Sequence, residues 1–368
     1  MTTDRQPLFI VGAARSGTTM LAAMFGSHRL YAAGPETQFF SKLNPQRLAL
    51  CIEDPAWPRA AVASLMSLEL AGQPVVTLFG SSEQATYDFL KERSPSVAAM
   101  LESLTVPFAQ KRGKAGWIEK TPNHLLNLYQ IRTLWPDAWI IRIMRDPRDA
   151  ALSACNLPTF SNSFAANIYL WRRWQDAAEA FMKADSKCAT VRYENLVVDP
   201  SGELGRLCTL TGIPFDPAMI EFGAAAADVS SAAETWKKPV SGGLNKDRLF
   251  AWRTSLDPGL RCLADQVTHE YLIEFDYENQ PLVETTRKGF WMSERYVERH
   301  TPFLLRQLRR GIRWLPVMNP SAADRIIDQP LYRSFRNPVL LARLTAGRLA
   351  HWFDNLGFRT VSRKSGRN

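Results

Sequence analysis

Near the N-terminus the chain reads Gly12-Ala13-Ala14-Arg15-Ser16-Gly17-Thr18-Thr19, a run that carries the parts of an anion cradle. Bracketing glycines let the backbone approach a ligand, successive N–H groups can point inward, and a helix N-terminus adds a favourable dipole. The spacing is that of G-x-x-x-x-G-K-[ST], but Thr18 stands where the lysine belongs, and the nearest cation, Arg15, lies three residues upstream. A nucleoside triphosphate hydrolase needs that lysine on its β and γ phosphates, with a metal beside it. A donor with a single anhydride on a nucleoside 5′-phosphate needs less: one basic residue, a pair of hydroxyls and backbone amides. A second constellation pairs Arg145 with Ser153, eight residues on, in Arg145-Asp146-Pro147-Arg148-Asp149-Ala150-Ala151-Leu152-Ser153. A strand-end arginine and a serine two helical turns later can share a phosphate monoester, which accepts from both guanidinium and hydroxyl. The plainer readings are a helix start without a ligand and an Arg145–Asp149 ion pair.

These residues need a scaffold that gathers them at one edge. Over the first 220 residues, short β-branched runs alternate with longer helical patterns, which indicates an α/β fold with a P-loop-like parallel sheet flanked by helices. Leu8–Val11 reads as a buried first strand and Ser16–Ser27 as the helix after it. Residues 38–112 read as a mostly helical insertion broken at Pro55, Pro58, Pro74, Pro95 and Pro107. Trp117–Glu119 is a short strand, and Thr121-Pro122 reads as an N-cap and first helical position of a helix reaching about Leu134. Ala138–Met144 is the clearest strand, and Asp146-Pro147 repeats the cap-plus-proline start. Phe164–Ala184 is a long helix, Ala189–Tyr193 a further strand, and Asp199-Pro200 opens another helix.

Composition limits the rest. With 368 residues, 46% hydrophobic and 22% charged, the chain fits a globular protein and excludes collagen-like or wholly disordered classes. No apolar run approaches the ~20 residues that span a bilayer, and a secretory leader is not expected. Five cysteines, Cys51, Cys155, Cys188, Cys208 and Cys262, lie 20 to 104 residues apart without a CxxC pair, so free thiols in a reducing, cytoplasmic setting are expected and zinc is not. The net charge of +9 is unevenly placed. Residues 285–368 carry 17 Lys and Arg against 5 Asp and Glu, whereas residues 1–284 carry 28 against 31. A main domain over 1–284 and a basic, largely helical C-terminal extension over 285–368 are therefore expected.

Arg15-Ser16-Gly17-Thr18-Thr19 resembles the 5′-phosphosulfate loop of the sulfotransferases that use 3′-phosphoadenosine 5′-phosphosulfate (PAPS), in the form found in bacterial and Golgi-type members. Two further segments, 145–153 and Arg192-Tyr193-Glu194-Asn195-Leu196-Val197-Val198-Asp199-Pro200, resemble the family as well, and the likeness runs over about residues 7–255. It implies that Arg15, Ser16, Gly17, Thr18 and Thr19 hold the 5′-phosphosulfate, that Arg145 and Ser153 hold the 3′-phosphate, and that Tyr193 lies near the adenine. It implies PAPS as co-substrate and no metal. Glu36, in Gly34-Pro35-Glu36-Thr37, follows Arg15 by 21 residues, as a glutamate base does in the tyrosylprotein-type members; the plainer reading is that it caps the next helix or pairs with a lysine. Lys120 stands between a strand end and a helix start, where the family's lysine neutralises charge on the bridging oxygen; its plainer reading is a salt bridge to Glu119 or another acidic neighbour. His28 and His124 are the alternative bases. The cytosolic Lys-x-His arrangement is absent, because residue 122 is Pro122, and this favours the glutamate.

The expected activity is therefore sulfuryl transfer to a hydroxyl, less readily an amine, of a small-molecule, lipid or glycan acceptor. Two readings stay open beside it: a P-loop kinase with an altered loop, and a catalytically silent nucleotide-binding or membrane scaffold. Trp57, Phe79, Tyr87 and Phe89 could line an acceptor pocket or belong to the core. In the extension, Phe303–Leu315 sets Leu304, Leu305, Leu308, Ile312 and Leu315 opposite Arg306, Arg309, Arg310 and Arg313. Such a helix suits either a solvated face or peripheral contact with the inner face of a membrane. No nucleic-acid-reading motif accompanies the charge.

Overall fold

The computed structural model describes residues 5–157, 160–231, 234 and 243–277. β1 (Leu8–Gly12) leads through the loop into α1 (Thr18–Ser27), and β2 (Tyr31–Ala33) follows. The next stretch forms α2 (Phe39–Lys42), α3 (Pro45–Glu53), α4 (Arg59–Met66), a ribbon of β3 (Glu69–Leu70) and β4 (Gln73–Pro74), then α5 (Val75–Leu78), α6 (Glu83–Lys91) and α7 (Val97–Lys111). β5 (Gly116–Lys120) and a 3-10 turn (Pro122–Leu126) precede α8 (Leu128–Leu134). β6 (Trp139–Met144), α9 (Pro147–Ala154), α10 (Phe164–Ala184), β7 (Cys188–Arg192), α11 (Tyr193–Val198) and α12 (Pro200–Thr211) complete the α/β part. α13 (Trp252–Ser255) and α14 (Pro258–Glu274) end the described chain.

The main sheet is parallel throughout, in the order β2-β5-β1-β6-β7. β1 is central and buried along its length, as a parallel strand covered by helices on both faces must be. Its side chains divide by parity. Leu8 and Ile10 join Leu21, Met24 and Phe25 of α1 in one core, while Phe9 and Val11 join the other. There the Phe9 ring lies 5.7 Å from that of Trp117 and 5.1 Å from that of Trp135. Each such side chain, fully buried, supplies about 1.5–3 kcal/mol.

This sheet has a consequence for function. In a parallel sheet all carboxyl ends lie on one edge, and ligands bind there, where the strand order switches direction. Gly12 ends β1, Lys120 ends β5, Arg145 follows β6, Tyr193 follows β7, and Glu36 lies just past β2. Each strand thus delivers a residue singled out by sequence, or the loop holding several, to the same edge.

The cap-plus-proline readings hold: Asp146 accepts from the Arg148 amide at 2.9 Å and Asp199 from the Gly202 amide at 2.9 Å. Four details differ. α1 begins at Thr18 and not Ser16, because Gly17 (φ 97°) and Arg15 (φ 67°) hold left-handed conformations that a helix cannot include. Thr121 caps nothing with its side chain, since its hydroxyl is given to Glu119, and a 3-10 turn precedes α8. Pro107 lies inside α7: it forgoes one backbone bond, yet Leu101, Leu104 and Phe108 anchor that helix in the core. β2 and the β3–β4 ribbon are too short to register as strands in sequence.

Trp57, Phe79, Tyr87 and Phe89 all pack in or against the core. The boundary expected at 284/285, the basic extension and the amphipathic stretch 303–315 lie outside the described residues. Among the described residues no helix is long and apolar enough to cross a membrane, and no group of three or more His, Cys, Asp or Glu is gathered that could hold a metal. The five cysteines are unbridged.

Candidate active site

On the β2–β5 side of the edge, Lys120 is wholly buried. Its Nζ donates to Glu36 Oε1 at 3.1 Å, to the Val229 carbonyl at 3.3 Å, and to Thr19 Oγ1 at 3.5 Å. The parallel register Ala33–Ile118 brings Glu36 here, because residues three past β2 fall beside those ending β5. The other carboxylate oxygen of Glu36 accepts from Gln38 Nε2 at 2.7 Å. Lys120 thus reaches from Glu36 to Thr19 in the first turn of α1.

On the β6 side, Arg15 and Arg145 crowd together. Arg15 Nε donates to Ser153 Oγ at 3.1 Å. Arg145 donates to the Arg15 carbonyl at 3.1 Å and to the Arg248 carbonyl at 2.8 Å, and its guanidinium lies 4.6 Å from the centre of the Tyr193 ring. Sequence spacing pairs Ser153 with Arg145; the structure pairs it with Arg15, leaving Arg145 to bind backbone oxygens. The Arg145–Asp149 ion pair exists but is long, at 3.8 Å. Burial pushes the Arg15 pKa down to about 10, and the neighbouring Arg145 and Arg248 charges push the same way, against Tyr193 and Glu36.

Three observations test this pocket against an anionic nucleotide. Ser16 Oγ and Arg145 Nε are buried without a hydrogen-bond partner, which costs about 1–3 kcal/mol each unless a ligand oxygen meets them. Arg15 is held at positive φ, a strained conformation for a non-glycine residue that clusters at ligand clamps. A Cβ on Gly17 would stand 2.6 Å from Tyr193 Cδ2, so only glycine admits the tyrosine against the loop. All three fit a ligand rich in acceptor oxygens.

Thr18 is buried at the first turn of α1, which opens at Gly17. His28 and His124 are buried, with both ring nitrogens engaged. His28 takes the Leu30 amide on Nδ1 and bonds the Pro214 carbonyl through Nε2, while His124 lies between Glu119 and the Phe40 amide. Neither has a nitrogen to spare for acceptor chemistry.

Sequence reasoning missed Arg248 and Gln38, and it weighed Glu119 only as a salt-bridge partner of Lys120, whereas Lys120 pairs with Glu36. Arg248 sits on a short 3-10 turn, Lys246–Arg248, and only proximity to Arg15 distinguishes it from the chain's other arginines. Trp252, fully buried over the Arg148 guanidinium, donates to Asp146 and Asp149 at 2.9 Å each and so ties this segment to the start of α9. Beside the loop a small apolar recess of about 20 Å³ is walled by Ala13, Ala14, three alanines of α9, Trp171 and Trp174, among others.

Residues 7–217 match the sulfotransferase family. Protein-tyrosine sulfotransferase 1 of Danio rerio is 26% identical over 261 residues, 68% of this chain and 66% of that protein; the chain thus spans just under two thirds of that relative. Nodulation protein NoeE of Sinorhizobium fredii is 25% identical over 310 residues, 76% of this chain and 68% of that one. The sulfotransferase domain of the Synechococcus PCC 7002 olefin synthase superposes with a TM-score of 0.52 at 21% identity, over 76% of this chain and 98% of that domain, which shows a shared fold. A family match over more than half the chain means that the protein belongs to the sulfotransferase family.

Proposed function

We propose that the protein transfers the sulfuryl group of PAPS to an acceptor hydroxyl, with Glu36 as general base. The observation that carries this reading is the buried Lys120–Glu36 pair, 3.1 Å apart and linked through Thr19 to the phosphosulfate loop. PAPS supplies a sulfuryl group on a phosphate leaving group, so a new acceptor O–S bond forms as the bridging S–O bond breaks. Glu36 takes the proton of the hydroxyl. Lys120 donates to the bridging oxygen as negative charge builds there. Arg15, Ser16, Gly17, Thr18 and Thr19 hold the 5′-phosphosulfate, Arg145 and Ser153 hold the 3′-phosphate, and Tyr193 borders the adenine. Arg248 adds positive charge beside them. Positioning and charge stabilisation supply most of the rate, as in transfers through loose transition states.

The acceptor expected from the sequence is a small molecule, lipid or glycan that carries this hydroxyl. Labelled PAPS incubated with 2-naphthol, a simple alcohol, a primary amine and a sugar tests both claims, and transfer to the phenol or alcohol is expected. Calorimetry with adenosine 3′,5′-bisphosphate against ATP and magnesium tests the donor. Tight ATP binding with the bisphosphate ignored would sink the proposal.

A further inference from the structure

Behind the Lys120–Glu36 pair lies a second buried carboxylate, Glu119, which the scheme above does not use. Neighbours on a strand face opposite ways, so Glu119 points away from Lys120. It is 1% exposed and accepts three short hydrogen bonds: from Thr121 Oγ1 at 2.6 Å, from Thr37 Oγ1 at 2.7 Å, and from His124 Nδ1 at 2.8 Å. Burial drives its pKa up, but the His124 ring and the two hydroxyls outweigh that and hold it below the usual carboxylate range.

Each of these three donors in turn receives a backbone amide. Gln38 N donates to Thr121 Oγ1 at 3.3 Å, Phe39 N to Thr37 Oγ1 at 3.3 Å, and Phe40 N to His124 Nε2 at 3.2 Å. The last bond orients the ring: Nε2 accepts the Phe40 amide, so Nδ1 donates to Glu119. Three consecutive amides at the start of α2, groups that a helix leaves unsatisfied, thus reach one carboxylate through three side-chain relays. Gln38 sits at φ 52°, a strained conformation that persists only where its surroundings over-determine it. Its own side chain is held as well. Ser41 Oγ donates to Gln38 Oε1 at 2.9 Å, which turns Nε2 toward Glu36 Oε2 at 2.7 Å.

From this arrangement we infer that Glu119 is a positioning residue for the transfer reaction: through Thr37, Thr121 and His124 it locks residues 36–40 against the end of β5, and thereby sets the Glu36 carboxylate on Lys120. Two cross-links join the same two chain segments on opposite faces, Glu36 to Lys120 on the reacting side and Thr37 to Glu119 behind it. Thr37, Glu119, Thr121 and His124 are all fully buried, so the lock is dry and its bonds cannot be exchanged for water. The inference rests on the role given to Glu36 above.

The test compares Thr37→Val, Thr37→Ser, Glu119→Gln and Glu36→Gln with the parent protein. Affinity for adenosine 3′,5′-bisphosphate is read by calorimetry. Turnover is read as labelled transfer to 2-naphthol and, without any acceptor, as PAPS hydrolysis. Thr37→Val keeps the shape and removes the relay hydroxyl, and with Glu119→Gln it should lower kcat by about 10²-fold, the cost of a reacting group displaced by about 1 Å. Bisphosphate affinity should stay within threefold, and Thr37→Ser should recover most of the loss. The inference is overturned if Thr37→Val turns over like the parent, or if kcat and bisphosphate affinity fall together in both variants, which is what general unfolding would produce. Glu36→Gln separates the two readings. Unchanged turnover in that variant removes the base itself, whereas its loss alongside an active Thr37→Val removes only the lock.

Discussion

At the β2–β5 end of the sheet edge the buried ions come in matched sets, Lys120 with Glu36 and Glu119 with three donors. At the β6–β7 end Arg15, Arg145 and Arg248 crowd one another, with Asp149 in a long ion pair to Arg145. Burial raises the Asp149 pKa and pushes that of Glu194 up to about 6. On the roles proposed above, the contrast separates two tasks. A site that must move a proton keeps its charges balanced and fixed, because a base that wanders loses its geometry. A site that must capture an anion keeps excess positive charge and unmet donors, Arg145 Nε and Ser16 Oγ, and recovers that cost when ligand oxygens arrive.

If the division is real, variants at the two ends should fail in different ways. Glu36→Gln should give the largest effect, a drop in kcat of about 10²–10⁴-fold, the usual worth of a positioned general base. Its affinity for adenosine 3′,5′-bisphosphate should stay within threefold by calorimetry. Arg145→Ala should do the reverse. Losing charged hydrogen bonds worth about 1.5–3 kcal/mol weakens the bisphosphate about 10- to 150-fold, with a smaller effect on kcat at saturating donor. Equal losses in both parameters for both variants would merge the two ends into one.

A third prediction concerns stability. Glu194 accepts from the Asp146 amide at 2.9 Å and from the Tyr277 hydroxyl at 3.1 Å, yet burial dominates and lifts its pKa to about 6 from 4.5. The folded state therefore holds this proton more tightly than the unfolded chain. Its contribution is complete below about pH 4.5 and is lost as pH rises through 6, a swing of about 2 kcal/mol. Urea melts at pH 4.5 and 6.5 should show about 1.5 kcal/mol of that swing between the parent and Glu194→Gln. A parallel pH dependence in the two proteins would show that Glu194 ionises normally.

Sequence made legible what is encoded locally. β1, the loop after it, β6 and the starts of α9 and α12 follow from runs of apolar residues, glycines and Asp-Pro pairs. Contacts between distant segments were not legible. Nothing in Glu119 distinguishes a relay hub from a surface carboxylate, because its partners Thr37 and His124 come from either side of a long insertion. Ser153 illustrates the same limit. Its spacing from Arg145 is a fact of one helix, but its bond to Arg15 depends on how β1 and β6 lie side by side. Arg248 is 103 residues from the arginine whose guanidinium bonds its carbonyl.

The mildest change probes the cation-rich end most finely. Arg15→Lys preserves charge at neutral pH and gives up only the bond from Nε to Ser153, so bisphosphate affinity at pH 7 should fall no more than a few-fold. The surroundings do not change, however. Burial, followed by the Arg145 and Arg248 charges, brings the arginine from 12.5 to about 10. The same burial and neighbouring charges lower a lysine too, and its ordinary value already lies below that of arginine. A bound anion favours the protonated amine, so the variant loses affinity at a lower pH than the parent does. At pH 9 the variant should bind several-fold more weakly than the parent, although the two are nearly matched at pH 7. Calorimetric titrations at both pH values decide the point. A variant-to-parent ratio that does not change with pH would mean that Arg15 is not crowded by like charge, and the proposed asymmetry between the two ends of the edge would lose its electrostatic basis.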